Sequence, residues 1–466
     1  MKEACGVVGI MAPGRAVSHL VFDALVALQH RGQESAGIAT WDHEGITVFK
    51  DNGLVASVFN EQSLYSLRGD LAIGHTRYST SGSANWTAAQ PVYRSAGRVG
   101  FALGHNGNLT NTDDLAARAG VLPGMLISDS DVLAQLIAYR CDEGRTLTES
   151  LGDVLATVEG AYSLVILGDG VLHGIRDPFG FRPLCLGRLG TSDAPEGWVL
   201  ASESPALEVI GASFVRELQP GELVTIENNE VSSTQLLAPR SENEKLCIFE
   251  FVYFARPDAY LMGHQVHSTR HRMGEALARQ SRVDADLVMG VPDSGVPAAE
   301  GFAAASGIPF GFGLVKNRYI GRTFIAPDQI SRSKSVRRKL NPLRENIAGR
   351  RLVVVDDSIV RGTTTQALVA MLRDAGAREV HLRISSPPFA WPCFYGIDTP
   401  TRNELLAARH SVEEMRSFIG ADSLEFISME NLLSAIGLAG ECCDACLTGN
   451  YPAPVPVALG RAGSAR

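Results

Sequence analysis

The sequence predicts two cores in tandem, an α+β sandwich through residue 240 and an α/β parallel-sheet domain over residues 241–448. Three observations carry this expectation. The 466 residues exceed what one ordinary hydrophobic core organises. The first half reads as short β-rich segments broken by glycine turns, with few long helical patterns among them. After about residue 230, apolar strands and helices alternate, the pattern that builds a parallel doubly wound sheet.

In the first half, Val7–Ile10, Ile38–Trp41, Ile46–Phe49, Leu71–Ile73 and Val99–Leu103 read as strands. Ser18–Gln29 and Asp131–Arg140 read as helices, and Ser163–Leu167 and Val171–Ile175 flank an Asp169-Gly170 hairpin signal. The polar stretch Ser241–Lys245 marks the boundary. Beyond it, Leu287–Val291 runs into the turn Pro292-Asp293-Ser294-Gly295 and an alanine-rich helix. Leu352–Val355 runs into Asp356-Asp357-Ser358 and a helix expected near Thr363–Ala375, stopped by Gly376. Val380–Ile384 is the next strand. Residues 449–466, rich in Pro, Ala and Gly, are expected to form a flexible tail.

Composition narrows the function classes. A hydrophobic content of 45% and a charged content of 20% fit a soluble globular enzyme. No apolar run approaches the ~18 residues of a membrane span, and Met1-Lys2-Glu3-Ala4-Cys5 offers no secretory signal. A cytoplasmic protein with no membrane partner is expected. The net charge of -9 opposes broad nucleic-acid binding. Eight cysteines, at 5, 141, 185, 247, 393, 442, 443 and 446, point in a reducing compartment to metal or catalysis rather than disulfides.

Cys5 is the first residue with chemical potential. A thiol needs a base, and a free α-amine with a pKa of ~7.7–8.0 serves if Cys5 begins the mature chain. That requires loss of Met1–Ala4. Alone, a cysteine beside a strand is more often a small buried hydrophobe. Gly74-His75-Thr76-Arg77-Tyr78 puts an arginine fork at a strand end, suited to an α-carboxylate. Gly104-His105-Asn106-Gly107-Asn108 supplies a side-chain amide and a glycine N–H, the donors an oxyanion hole needs. Ser128-Asp129-Ser130 offers a carboxylate for an ammonium group, or simply a helix cap.

Together with Leu28-Gln29-His30-Arg31-Gly32-Gln33-Glu34-Ser35-Ala36-Gly37 and Arg176-Asp177-Pro178-Phe179-Gly180, these segments resemble the class II glutamine amidotransferases. The resemblance implies an N-terminal-nucleophile αββα sandwich over residues 5–240, preceded by a propeptide of residues 1–4. It makes Cys5 the nucleophile and its own amine the base. Arg77 and Asp129 then hold glutamine, Asn106 and Gly107 form the oxyanion hole, and His30 to Gln33 shape the pocket.

The string Val353-Val354-Val355-Asp356-Asp357-Ser358-Ile359-Val360-Arg361-Gly362-Thr363-Thr364-Thr365 is the strongest motif. An apolar strand delivers two carboxylates to its carboxyl end, and the Gly-Thr run opens a helix whose N–H groups suit a phosphate. The acids suit ribose hydroxyls or hydrated Mg2+. The string resembles the binding motif of type I phosphoribosyltransferases, with Asp293, Ser294 and Gly295 in the pyrophosphate loop. The resemblance implies Gly362, Thr363 and Thr364 at the phosphate and one Mg2+ per subunit near Ser294, Asp356 and Asp357. The polar stretch Lys316–Arg350, carrying Arg332, Lys334, Arg337, Arg338 and Lys339, reads as a cationic lid over that site.

Cys443-Asp444-Ala445-Cys446 is a Cys-x-x-Cys pair that Cys247 and Cys393 could join. Four thiolates suit Zn2+ or a 4Fe-4S cluster, and spacing does not separate them. Nearly the whole chain, from Cys5 to Pro452, resembles the amidophosphoribosyltransferase family. Its surroundings of Cys247, Cys393, Cys443 and Cys446 are similar to the branch with a propeptide and a 4Fe-4S cluster, one per subunit. Cys443 is preferred to Cys442 for its spacing from Cys446, while Cys141 and Cys185 are taken as structural. The resemblance implies transfer of the glutamine amide nitrogen to phosphoribosyl pyrophosphate, a homotetramer, and inhibition by purine nucleotides. The alternative is a phosphoribosyl-pyrophosphate- or redox-sensing regulator on the same scaffold.

Overall fold

The computed structural model describes residues 5–78, 86–96, 99–121, 128–317, 338–397, 399 and 401–455. Two antiparallel sheets build the first half. One runs edge to edge through Ser213–Glu217, Cys185–Gly190, Pro195–Ala201, Gly6–Met11, Leu71–Arg77, Ser35–Trp41 and Ile46–Asn52. The other runs through Glu230–Gln235, Glu222–Glu227, Val171–Arg176, Gly160–Gly168, Val99–Leu109 and Val92–Ala96. Period-two alternation splits each strand between two cores. Val7, Ile73, Val165, Leu172 and Leu200 meet between the sheets. Val8, Ile10 and Ala72 face the helix Ser18–Ala27, while Leu164 and Ile166 face Asp129–Asp142 and Leu147–Leu155. The result is the expected αββα sandwich.

The hairpin at Asp169-Gly170 forms as predicted, with Gly168 opposite Val171 and both turn residues at positive φ, 51° and 76°. One strand is longer than its apolar pattern suggested. Val99–Leu109 stays paired with Gly160–Gly168 through Asn106↔Ser163 and Leu109↔Gly160, so His105 and Asn106 lie inside a strand rather than at its end. Polar residues at buried strand positions hid this continuation.

The second half holds a parallel four-stranded sheet in the order Leu287–Gly290, Arg351–Asp356, Glu379–Ile384, Ser423–Phe426. Both faces are covered, which is why the central strand is apolar without alternation. Val353 and Val355 pack towards the helices Val266–Gln280 and Val296–Ser306, and Leu352 and Val354 towards Thr363–Asp374. Leu314–Lys316, where the expected lid begins, and Leu340–Pro342, within it, pair as an antiparallel ribbon. Arg332, Lys334 and Arg337 of that lid lie outside the described residues, as does Met1–Ala4.

Two glycines set the helix crossing behind the first phosphoribosyl loop. A Cβ at Gly274 would strike the carbonyl oxygen of Ala298, and one at Gly301 that of His271. Only a bare backbone lets the helices approach this closely. The first residues of the expected tail differ from expectation: Ala453 is buried, and its carbonyl accepts from the Tyr395 hydroxyl at 2.6 Å. The Tyr451 hydroxyl donates to Pro392 O at 2.6 Å. These aromatic anchors outweigh the Pro-Ala composition, while 456–466 lie outside the described residues.

Helix propensity alone favours alanine over glycine by roughly 1 kcal/mol, and the collisions reverse that sign. Gly274→Ala and Gly301→Ala are each expected to destabilise the chain by about 1–3 kcal/mol, read as a lower urea midpoint at unchanged slope.

Candidate active site

The first strand carries Cys5 to the top of its sheet. Gly6 pairs with Thr76, which sets Cys5 level with Arg77 at the end of the neighbouring strand. The Tyr78 N–H donates to Cys5 Sγ at 3.3 Å, and Arg31 Nε donates to the Cys5 carbonyl at 3.0 Å. Burial pushes the Cys5 thiol up. The Tyr78 N–H, Arg77 and Arg31 pull it down, and Asp129 raises it again. The net rise leaves the thiol protonated at neutral pH, so a base must take its proton.

Asn106 is fully buried, and among the described residues neither its Nδ2 nor its Oδ1 finds a partner. Leaving such an amide unsatisfied costs about 1–3 kcal/mol, the mark of a group waiting for a ligand. Beside it, Gly107 has φ 154°, and a Cβ there would collide with Ala161 O. A side-chain amide thus stands next to a glycine whose surroundings leave no room for a side chain. Asp129 opens the helix Asp129–Asp142 and accepts from Leu109 N at 3.1 Å and Ser130 N at 2.7 Å.

A layer of polar residues behind these groups was not picked out from the sequence. Gln90 donates to Ser130 Oγ at 3.0 Å and accepts from His105 N at 2.7 Å. His105 Nδ1 lies 2.9 Å from Ser130 Oγ, and His75 Nε2 lies 2.9 Å from His105 O. Arg31, read among the residues that mainly shape the pocket, is a buried clasp. Its fork reaches Glu203 at 2.5 Å and Glu250 at 2.9 and 2.8 Å. The run Ala201-Ser202-Glu203-Ser204 closing an apolar strand was the signal for Glu203; nothing local marks Glu250.

In the second half, parallel pairing of Gly290 with Val355 brings two loops together at the carboxyl edge of the sheet. Ser294 Oγ donates to Asp357 Oδ2 at 2.6 Å and joins them. The Pro292–Asp293 peptide is cis, and Lys316 Nζ reaches Asp293 Oδ2 at 2.5 Å. Gly295 precedes the helix Val296–Ser306. Gly362, at φ 76°, precedes Thr363–Asp374, so Thr363 and Thr364 stand in its first turn. Burial and the adjacent Asp357 charge push the Asp356 carboxyl well above the carboxylate range. Two crowded carboxylates with a serine hydroxyl fit a hydrated Mg2+ whose remaining oxygens come from water and substrate.

Cys247 and Cys443 are brought level by parallel pairing of Leu246–Cys247 with Cys442–Cys443. Burial pushes Cys247 up to about 12, opposed by Arg182 and helped by Cys393. Cys446 is raised by burial, then by Cys393, Cys247 and Cys443; Cys443 is raised by burial, Cys247 and Cys393. Cys442 is raised by burial and Cys247, then by Glu244, Glu441 and Asp444. The four thiols thus converge. A single tetrahedral ion would draw them within roughly 4 Å of one another. Among the described residues no group of three or more His, Cys, Asp or Glu is arranged to hold one ion. Four cysteine thiols, with the Tyr395 N–H donating to Cys393 Sγ at 3.4 Å, are a donor set that either Zn2+ or an iron–sulfur core takes. Cys185 donates to Ala201 O and Cys141 to Ser150 Oγ, each apart from this group.

Comparison with known proteins fixes the class first. Residues 75–209 match the glutamine amidotransferase domain family and residues 270–385 the phosphoribosyl transferase domain family. The chain is thus a glutamine amidotransferase joined to a phosphoribosyltransferase. It is 50% identical to an amidophosphoribosyltransferase of Mycobacterium tuberculosis, over 99% of this chain and 89% of that one. It is 46% identical to one of Archaeoglobus fulgidus, over 97% and 98%. A solved glutamine phosphoribosylpyrophosphate amidotransferase from B. subtilis, complexed with ADP and GMP, superposes with a TM-score of 0.88 at 44% identity, covering 97% and 98%. The chain belongs to the amidophosphoribosyltransferase family.

Burial lowers the His75 pKa to about 3, against ~6.5 in an unfolded chain. The folded state therefore refuses a proton that the unfolded state takes up as pH falls below ~6.5. At pH 5 this costs about 2 kcal/mol. His75→Gln, which keeps a donor for His105 O and does not titrate, is expected to shrink the pH 7 to pH 5 stability difference by that amount in urea unfolding.

Proposed function

We propose that this chain transfers the amide nitrogen of glutamine to 5-phosphoribosyl 1-pyrophosphate, giving 5-phosphoribosylamine, glutamate and pyrophosphate, the first committed step of de novo purine synthesis. The observation that carries this reading is identity of about half over nearly the full length to named amidophosphoribosyltransferases, spanning both half-sites.

Cys5, freed of Met1–Ala4, gives its thiol proton to its own amine and attacks the glutamine side-chain carbonyl. Asn106 Nδ2 and the Gly107 N–H receive the oxyanion, while Arg77 and Asp129 hold the substrate's carboxylate and ammonium ends. The raised Cys5 thiol and the partnerless Asn106 amide support these roles. The amine returns its proton to the departing nitrogen, ammonia leaves, and water frees glutamate from the thioester.

Ammonia then attacks C1 of the phosphoribosyl group and pyrophosphate departs; a proton is lost to solvent. Asp293, Ser294 and Gly295 face the pyrophosphate, Asp356 and Asp357 the ribose, and Gly362, Thr363 and Thr364 the 5-phosphate. A Mg2+ held near Ser294, Asp356 and Asp357 would supply positive charge to the leaving group. Contact between the halves supports an enclosed passage: Asn108 Nδ2 donates to Phe394 O at 2.9 Å, and Gly396 abuts Gly107.

Cys247, Cys393, Cys443 and Cys446 would hold one 4Fe-4S cluster, which would staple the chain's last segment to the start of the second half. Purine nucleotides as inhibitors draw support from the B. subtilis complex with ADP and GMP. A homotetramer in the cytoplasm completes the reading, and no described helix is long and apolar enough to cross a membrane.

Two outcomes test the two halves. Cys5→Ser is expected to abolish glutamine-dependent pyrophosphate release and keep ammonia-dependent release within about twofold; equal loss of both would refute the division of labour. Anaerobically purified protein is expected to be brown with about four irons per chain. Cys443→Ser is expected to lose the colour and Cys442→Ser to retain it, while one zinc per chain would overturn the assignment.

A further inference from the structure

Arg31 spends its donors on both halves of the molecule. Nε holds the Cys5 carbonyl at 3.0 Å, and Nη1 reaches Glu203, just past the strand Pro195–Ala201 that pairs with Gly6–Met11 in one sheet. The remaining contacts, Nη1 and Nη2 to Glu250 at 2.9 and 2.8 Å, cross 219 residues of sequence to the second half. All three side chains are completely excluded from solvent. Arg182 adds a second guanidinium 3.4 Å from Glu250.

Glu250 opens a π-helical turn, Glu250–Phe254, a rare geometry that gathers at functional sites. The far end of this turn is also clasped. Arg270 Nε donates to Phe251 O at 2.7 Å and Nη2 to Ala255 O at 2.8 Å. The turn is therefore held at both ends by buried arginines, Arg31 on the Glu250 carboxylate and Arg270 on the backbone carbonyls.

We propose that Glu250 is a positioning residue for the Cys5 nucleophile, supplied by the second half of the chain to a glutamine site otherwise built from the first. The inference rests on the proposed role of Cys5. Its thiol attacks the amide carbon and its amine relays the proton to the departing nitrogen, and both hang from a backbone whose next anchor is the Arg31–Cys5 carbonyl bond. Arg31 is a fixed anchor only while its fork is gripped bidentately. Glu203 alone holds one nitrogen, shares that oxygen with His30 at 2.8 Å, and leaves the fork free to swing. Glutamine itself is gripped by Arg77 and Asp129, so loss of Glu250 disturbs reaction geometry more than binding.

The test uses the full-length, processed, metal-replete protein with Glu250→Gln. The glutamine-dependent kcat is expected to fall at least ~10-fold, since small misplacements of a reacting group reach 10²-fold. KM for glutamine is expected to change less than about threefold, and ammonia-dependent synthesis less than about twofold. Glu250→Asp, which keeps the buried charge, must show the same split in smaller measure if Glu250→Gln does not fold. An unchanged glutamine rate, or equal loss of both rates in the variant that folds, overturns the proposal. A wild-type protein that fails to couple glutamine to phosphoribosyl pyrophosphate instead overturns the function itself.

Discussion

The structure depends on a buried cation, the Arg31 guanidinium, and on the two carboxylates that make it tolerable. Burial by itself favours the neutral form, yet Glu250 and Glu203 hold Arg31 above even its ordinary range. Glu203 is drawn the other way: burial raises it, and His30 and Arg31 bring it far below the carboxylate range. Such a set is stable only when complete, because removing one member strands the others at about 3–5 kcal/mol. The same bonds that satisfy these charges join the strand bearing Cys5, the strand ending at Ala201 and the turn Glu250–Phe254. Electrostatic necessity and the relative placement of the two halves are one constraint here.

The two substrate sites solve opposite electrostatic problems. The proposed glutamine pocket holds a buried thiol whose ionisation is opposed, beside an amide with no partner among the described residues. The phosphoribosyl site instead crowds Asp356 beside Asp357 and bridges its loops through Ser294. Burial is the common instrument. In the first pocket it suppresses ionisation of the Cys5 thiol; in the second it raises the Asp356 carboxyl.

Much of this was legible in the sequence where chemistry is local. The segment from Val353 to Thr365 states strand, carboxylate pair, glycine turn and helix in order, because each step is set by neighbours a few residues away. Arg77, Asn106 and Asp129 were legible as residue types at strand and helix ends, though the strand holding Asn106 runs to Leu109 and its true end was masked by polar side chains. The Arg31 clasp was not legible, since its partners lie 172 and 219 residues away and no local period announces them. Gln90 escaped for the same reason: its value lies in matching two donors and acceptors across the sheet. Gly449–Val455 misled through composition, which is blind to the aromatic hydroxyls that hold this segment.

The parallel pairing of Leu246–Cys247 with Cys442–Cys443 has a consequence for biosynthesis. All thirteen strands of the two antiparallel sheets lie before residue 236, so that sandwich has every strand in hand while the ribosome is still translating the rest. Leu246–Cys247 emerges early and must wait for Cys442–Cys443, nearly two hundred codons later. Throughout that interval it is synthesised without the strand it pairs with, so the second half is completed only once the last segment of the chain is made.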